Sequence, residues 1–177
     1  MQIGWDIPIE MDDGVTLRAD VFRPVDDGKF PVILSYGPYA KGLSFQDGYK
    51  GNWSRLTKSA PEVLKGSSNK YQNWELVDPE KWVPDGYACV RVDSRGAGRS
   101  PGILDVWSPR ETQDLYHCIE WAAMQAWSNK TRLVAIWHRT ARIAVTAKGR
   151  SGSFESARRS SNSPLCDYSR PKFPRAV

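Results

Sequence analysis

One stretch limits what this chain can become more than any other. The run Tyr87-Ala88-Cys89-Val90-Arg91-Val92-Asp93 breaks at Ser94-Arg95-Gly96-Ala97-Gly98-Arg99-Ser100-Pro101-Gly102, and an amphipathic pattern restarts at Ser108. The first run is short, almost wholly apolar and bounded by turn residues, which is how a strand buried on both faces reads. Ser108-Pro109-Arg110-Glu111 has the form of a capping box. Ser108 is expected to accept from the Glu111 amide, the Glu111 side chain to reach back to the amide of Ser108, and Pro109 to stand where a missing N–H costs nothing. Leu115, Ile119, Ala122, Ala123 and Ala126 then make one apolar stripe. A buried strand feeding a capped helix argues for an α/β domain with a mostly parallel sheet.

The flanking segments extend that reading. Ile7–Met11 and Val15–Phe22 surround Asp12-Asp13-Gly14, and the second run alternates apolar with polar, so the pair predicts a hairpin. Phe30–Tyr36 predicts a further buried strand. Residues 42–73, rich in Gly, Ser, Asn and Lys, read as a long connection. Asp78-Pro79 marks the start of a short helix, with Asp78 as its cap. Thr131–Trp137 fits the next strand, and beyond His138 the pattern dissolves. From Lys148 the chain is mostly Ser, Arg, Pro and small residues. Such a segment buries too little surface to offset its ordering entropy, so it is expected to be disordered. The reading is therefore two segments: 5–137 as a partial α/β domain and 138–177 as a basic tail.

Charge divides the chain near the same place. Residues 1–129 hold 14 basic and 18 acidic side chains, residues 130–177 hold 11 and 2. The 177 residues suffice for one domain, and 8 Trp with 7 Tyr point to an aromatic core or apolar pocket. Cys89, Cys118 and Cys166 lack metal-ligand spacing and form an odd set, so neither a disulfide framework nor a metal site is indicated. Cys89 and Cys118 read as small buried apolar groups. No run of apolar residues is long enough for a membrane span, and the N-terminus lacks a signal-peptide pattern, so a cytoplasmic, membrane-free protein is expected.

Four stretches carry a family resemblance: Ile9–Pro24, with Asp12-Asp13-Gly14-Val15-Thr16-Leu17; Gly37-Pro38-Tyr39-Ala40-Lys41-Gly42; Trp82–Gly102, with Asp93-Ser94-Arg95-Gly96; and Asp114–Asn129. In this order and spacing, residues 5–129 resemble the X-prolyl dipeptidyl-peptidase-like, cocaine-esterase-like family of α/β-hydrolases. The resemblance implies an α/β-hydrolase fold, here incomplete. It also implies hydrolysis of a small-molecule ester, or an amide or peptide, by a Ser nucleophile, a His base and an orienting Asp, without a cofactor. It places an oxyanion donor, a tyrosine hydroxyl, at Tyr39, and a loop-holding role beside the site at Asp93 and Arg95.

The nucleophile is the missing part. Gly98-Arg99-Ser100-Pro101-Gly102 is formally G-x-S-x-G, but the residue after a nucleophile must donate its N–H to the oxyanion, and Pro101 has none. Six residues, the five turn residues Ser94 to Gly98 and then Arg99, also separate Ser100 from its strand. Setting Leu133-Val134 on the family's next strand puts Ala135 at the elbow glycine and Trp137 at the serine. His117 falls on a helix before that point and His138 after it. The expectation is a truncated chain that departs from its family near Asn129, by a frame slip, altered splice or early termination, and lacks the elbow and the downstream Asp and His. Two alternatives stand beside a working hydrolase: an inactive remnant, and a non-enzymatic binding protein that uses Arg139, Arg142, Lys148, Arg150, Arg158, Arg159, Arg170, Lys172 and Arg175. No nucleic-acid motif accompanies those residues, so a nucleic-acid partner is not expected. A sheet lacking its last strands would leave Val32, Ile33, Val90 and Val92 exposed and the protein poorly soluble.

Overall fold

The computed structural model describes residues 1–39, 41–137 and 141–145, the last five and residues 131–137 as backbone alone. The opening hairpin forms where the alternation placed it. Strands β1 (Gln2–Glu10) and β2 (Thr16–Arg23) pair antiparallel from Glu10↔Thr16 to Gln2↔Arg23. Gly14, at φ +81°, closes the turn, a conformation that costs a glycine nothing. A register shift between Gly4 and Ile7 bulges β1 and leaves Asp6 at φ +52°.

Strands β3 (Phe30–Gly37), β4 (Ala88–Asp93) and β5 (Ser128–Trp137) run parallel, and β6 (Ala141–Val145) returns antiparallel along β5. The sheet order is β1-β2-β4-β3-β5-β6, so β4 and β3 lie in its interior. Period two then sorts the side chains. Leu17, Ala19, Val21, Val32, Leu34, Tyr36, Ala88, Val90 and Val92 face one way, against Leu115, Cys118, Ile119 and Ala122 of helix α4 (Pro109–Met124). Phe22 and Cys89 face the other way, under Val83, Tyr71, Val77 and Trp82. Asp20, Ser35, Arg91 and Asp93 share that second face and are all buried.

Several expectations need correction here. Val32, Ile33, Val90 and Val92, expected to be exposed, are 1%, 5%, 0% and 3% accessible, because β2 and β5 flank their strands and chain covers both faces. The 42–73 connection is not irregular: it holds α1 (Phe45–Gly48), α2 (Lys50–Ser59) and a 3₁₀ turn (Pro61–Leu64). Phe45 and Tyr49, four residues apart, bring their rings to 6.2 Å, and the break between α1 and α2 at Tyr49 lets Trp53 reach Phe45 at 5.4 Å. Polar neighbours hid that spacing. Strand β6 forms at 141–145, where no element was expected; residues 138–140 and the tail from 146 lie outside the described residues.

The short helix α3 (Pro79–Trp82) starts at its capping residue, with Asp78 accepting from the Glu80 amide at 3.0 Å. At α4 the cap is half as expected. Ser108 accepts from the Glu111 amide at 3.1 Å, but the Glu111 carboxylate takes the amide of Trp107, at 2.7 Å, instead of that of Ser108. Trp107 stands at φ +72°, and the Ser108 amide is already held by the Asp105 carbonyl at 3.3 Å. The helix stops at Met124, so Ala126, assigned to its buried stripe, is exposed.

Candidate active-site edge of the sheet

The order of the strands locates the site. Going from β3 to β4, the chain crosses the face that carries Cys89 and Arg91; from β4 to β5 it crosses the opposite face through α4 and lands on the far side of β3. The connections thus diverge between β3 and β5. In open α/β sheets such a switch point, at the carboxyl ends of the strands, forms the ligand crevice. Tyr36 pairs with Trp137 and Gly37 with Asp93, so Tyr39 begins the turn just above that edge. Its ring is half-buried and meets Tyr49 edge-on at 6.5 Å.

Two residues beyond Tyr39, Lys41 anchors the turn in three directions. Its Nζ lies 2.6 Å from Asp6 and 2.9 Å from Asp20, its amide donates to Asp93 Oδ1 at 2.6 Å, and its carbonyl accepts from Asn73 Nδ2 at 2.6 Å. Asn73 Oδ1 in turn accepts from Arg91 Nη1 at 3.0 Å, and Arg91 Nη2 donates to the Val77 carbonyl at 2.9 Å. Burial lowers the Arg91 pKa to about 10, and its guanidinium lies over the Phe22 ring at 5.1 Å. Burial pulls the Lys41 pKa down, but hydrogen bonds to Asp6 and Asp20 outweigh it and leave the ammonium more basic than usual. The Lys41 hydrogen bond holds Asp6 below its ordinary range.

Asp93 and Arg95 do different things in the following loop. The Asp93 carboxylate accepts the amides of Lys41 and Arg99, the latter at 2.8 Å, while burial pushes its pKa up. Arg95 reaches away from the edge, to Asp114 at 2.9 Å and Asp13 at 2.9 Å, tying the loop to α4 and to the first hairpin turn. Arg110 joins the same two carboxylates, 3.8 Å from Asp13 and in contact with Asp114, and adds Asp12 at 2.6 Å. Ser100 is buried, with its hydroxyl donating to the Asp93 carbonyl at 2.7 Å and accepting from the Arg18 amide at 3.0 Å. Both partners are backbone, so Ser100 joins β2 to the end of β4.

Sequence reasoning gave no role of their own to Asp6, Asp20, Lys41, Asn73 and Arg91, although Lys41 stands in the Gly37–Gly42 motif. The available signal was an ionisable residue inside a buried-strand pattern, which Asp20 and Arg91 both satisfy; they are register partners on β2 and β4. His117 lies on α4, 3.9 Å from Asp12 and 3.0 Å from the Gln113 side chain. His138 falls outside the described residues. Among the described residues no three His, Cys, Asp or Glu side chains converge as a metal site, and no helix is long and apolar enough to cross a membrane.

The family profile described as X-Pro dipeptidyl-peptidase (S15 family) matches residues 13–135. This chain belongs to the S15 family. Cocaine esterase from Rhodococcus sp. (strain MB1 Bresler) is 33% identical over 122 residues, which are 69% of this chain and 17% of that protein. The putative serine esterase Mb1866c of Mycobacterium bovis is 27% identical over 128 residues, 70% of this chain and 18% of that protein. The crystal structure of SACOL2612, a CocE/NonD family hydrolase from Staphylococcus aureus, superposes with a TM-score of 0.60 at 38% identity, covering 75% of this chain and 22% of that one. The S15 chain described here thus spans about a fifth of the length of these relatives.

Proposed function

We propose that this polypeptide carries the oxyanion side of an ester-hydrolysing S15 site, with Tyr39 as the donor, and presents no acylating side among its described residues. Relatives named as esterases favour an ester over an amide as the bond addressed. The position of Tyr39 at the switch point supports its role: a hydroxyl there can face the oxygen of a carbonyl bound over the ends of β3 and β5. A donor of this kind is worth on the order of a hundredfold to a thousandfold in turnover, but only once a nucleophile attacks.

One observation carries the second half of the reading. β5 holds parallel register with β3 as far as Tyr36↔Trp137, and the chain then returns as β6, with Ala141 beside Trp137. A nucleophile elbow is a strand-to-helix corner with a serine or cysteine at its tip. Here β5 is followed by the antiparallel strand β6 and not by a helix, and the residue at position 137 is a tryptophan. Ser100 gives no substitute, since both functions of its hydroxyl are engaged by backbone.

The test is covalent. Purified full-length chain is treated with a fluorophosphonate probe and, separately, with p-nitrophenyl acetate. No labelled residue and no hydrolysis above the buffer rate are expected. A labelled serine at any position would overturn the assignment.

A further inference from the structure

Tyr39 lies between Gly37, the last residue of β3, and Lys41, and both of these are fastened to the end of β4. At one end Gly37 pairs with Asp93, and its carbonyl accepts the Ser94 amide at 3.0 Å. At the other, the Lys41 amide donates to Asp93 Oδ1 at 2.6 Å. The second carboxylate oxygen, Oδ2, accepts the Arg99 amide at 2.8 Å, and the Asp93 carbonyl takes the Ser100 hydroxyl. A single side chain, 1% accessible, therefore joins the turns that follow two neighbouring parallel strands.

We propose that Asp93 is the positioning residue for Tyr39: its two carboxylate oxygens hold the loop that presents the hydroxyl in fixed relation to the 94–99 turn. The inference rests on the reading of Tyr39 as the oxyanion donor. An ionised carboxylate can accept from both amides at once. An asparagine of the same shape accepts with one oxygen only, and its NH₂ must oppose the other N–H. The 94–99 turn keeps room for this bridge. A Cβ on Gly98 would lie 2.2 Å from Asp93 Oδ2, and Gly98 stands at φ +52°. Lys41 adds a third fixing through Asp6 and Asp20, and Asp6 also takes the Arg99 side chain at 3.1 Å.

The full chain labelled with 3-fluorotyrosine reads this directly by ¹⁹F NMR, with the Tyr39 line assigned by its loss in Tyr39→Phe. In Asp93→Asn the Tyr39 line, and that of Tyr49 whose ring it meets, should shift or broaden, while those of Tyr71, Tyr87 and Tyr116 stay in place. Arg95→Ala serves as control: it breaks the bridge to Asp114 in the same turn without touching the Asp93 carboxylate, and should leave Tyr39 unmoved. An unmoved Tyr39 line in folded Asp93→Asn overturns the proposal, as does an equal shift in Arg95→Ala. Should Asp93→Asn lose its dispersed spectrum, Gly98→Ala is read instead, with the same two outcomes; collapse of both variants would make Asp93 a general support and overturn its specific role. The fluorine lines and the fluorophosphonate label fail independently. A labelled serine removes the functional reading and leaves the loop result standing, while an unmoved line does the reverse.

Discussion

The ammonium of Lys41 lies 2.9 Å from the carboxylate of Asp20, a residue 1% accessible on the second face of the sheet. Asp20 also accepts the amide of Asp6 at 3.0 Å, so one carboxylate fixes both the β1 bulge and the Tyr39 loop. Removing one partner of a buried pair leaves an uncompensated charge, which costs about 3–5 kcal/mol. Lys41→Met should lower the urea midpoint accordingly. Adding Asp20→Asn should recover part of the loss; a double variant no better than the single would contradict the pairing.

The same cluster sets a pH response. Asp6 is held below its ordinary 3.8 by the Lys41 hydrogen bond, so the unfolded chain takes up its proton first as acid is added. Its contribution is therefore complete above that ordinary value and is lost as pH falls through the lower, folded one. Lys41 titrates above its ordinary 10.5, so its share is present below that value and lost as pH rises past it. Unfolding midpoints followed from neutral pH into acid should fall less steeply in Asp6→Asn than in the parent chain. Equal slopes would show that Asp6 is not a source of the acid lability.

Ser100 gives a direct check on the formal G-x-S-x-G. Its hydroxyl bridges the Asp93 carbonyl and the Arg18 amide. Ser100→Ala leaves a buried donor and a buried acceptor unsatisfied, at about 1–3 kcal/mol each. Thermal denaturation should register that loss, with probe labelling unchanged at the background level. A stable variant with altered labelling would reverse the assignment.

Cysteine reactivity should follow burial. Cys89 and Cys118 are both fully buried, on opposite faces of the sheet region, and burial pushes the Cys89 thiol up to about 12 and Cys118 higher still. Thiolate is the reacting form, so neither should alkylate in the folded chain at about pH 8, and both should do so in denaturant. Peptide mapping after iodoacetamide treatment distinguishes the states. Rapid native labelling of Cys118 would mean that α4 is not docked.

The elements that local chemistry dictates were readable. The Asp-Gly hairpin, the apolar runs of β3 and β4 and the cap at Ser108 each follow from residues within one turn or one period. The family motif also led to Tyr39, Asp93 and Arg95 as positions of interest. What stayed hidden depends on tertiary neighbours. The part Lys41 plays was hidden because Asp6 and Asp20, its partners, stand 35 and 21 positions away and meet it only after the sheet forms. Asn73 likewise gains its meaning from Lys41 and Arg91. The burial of Val32 and Val90 was misjudged because the sheet was expected to stop short, whereas β5 and β6 carry it past β3. The exchange of amides at Glu111 turned on a single backbone angle, that of Trp107.

The sheet's two sides differ in how they can tolerate change. Under α4 the packing is aliphatic and aromatic, so swaps that conserve volume leave every neighbour content. Across the sheet, Asp20, Arg91 and Asp93 answer to specific atoms, and altering any one strands another. Drift in this chain should therefore accumulate on the helix-covered side, while the opposite side changes rarely and then in matched pairs.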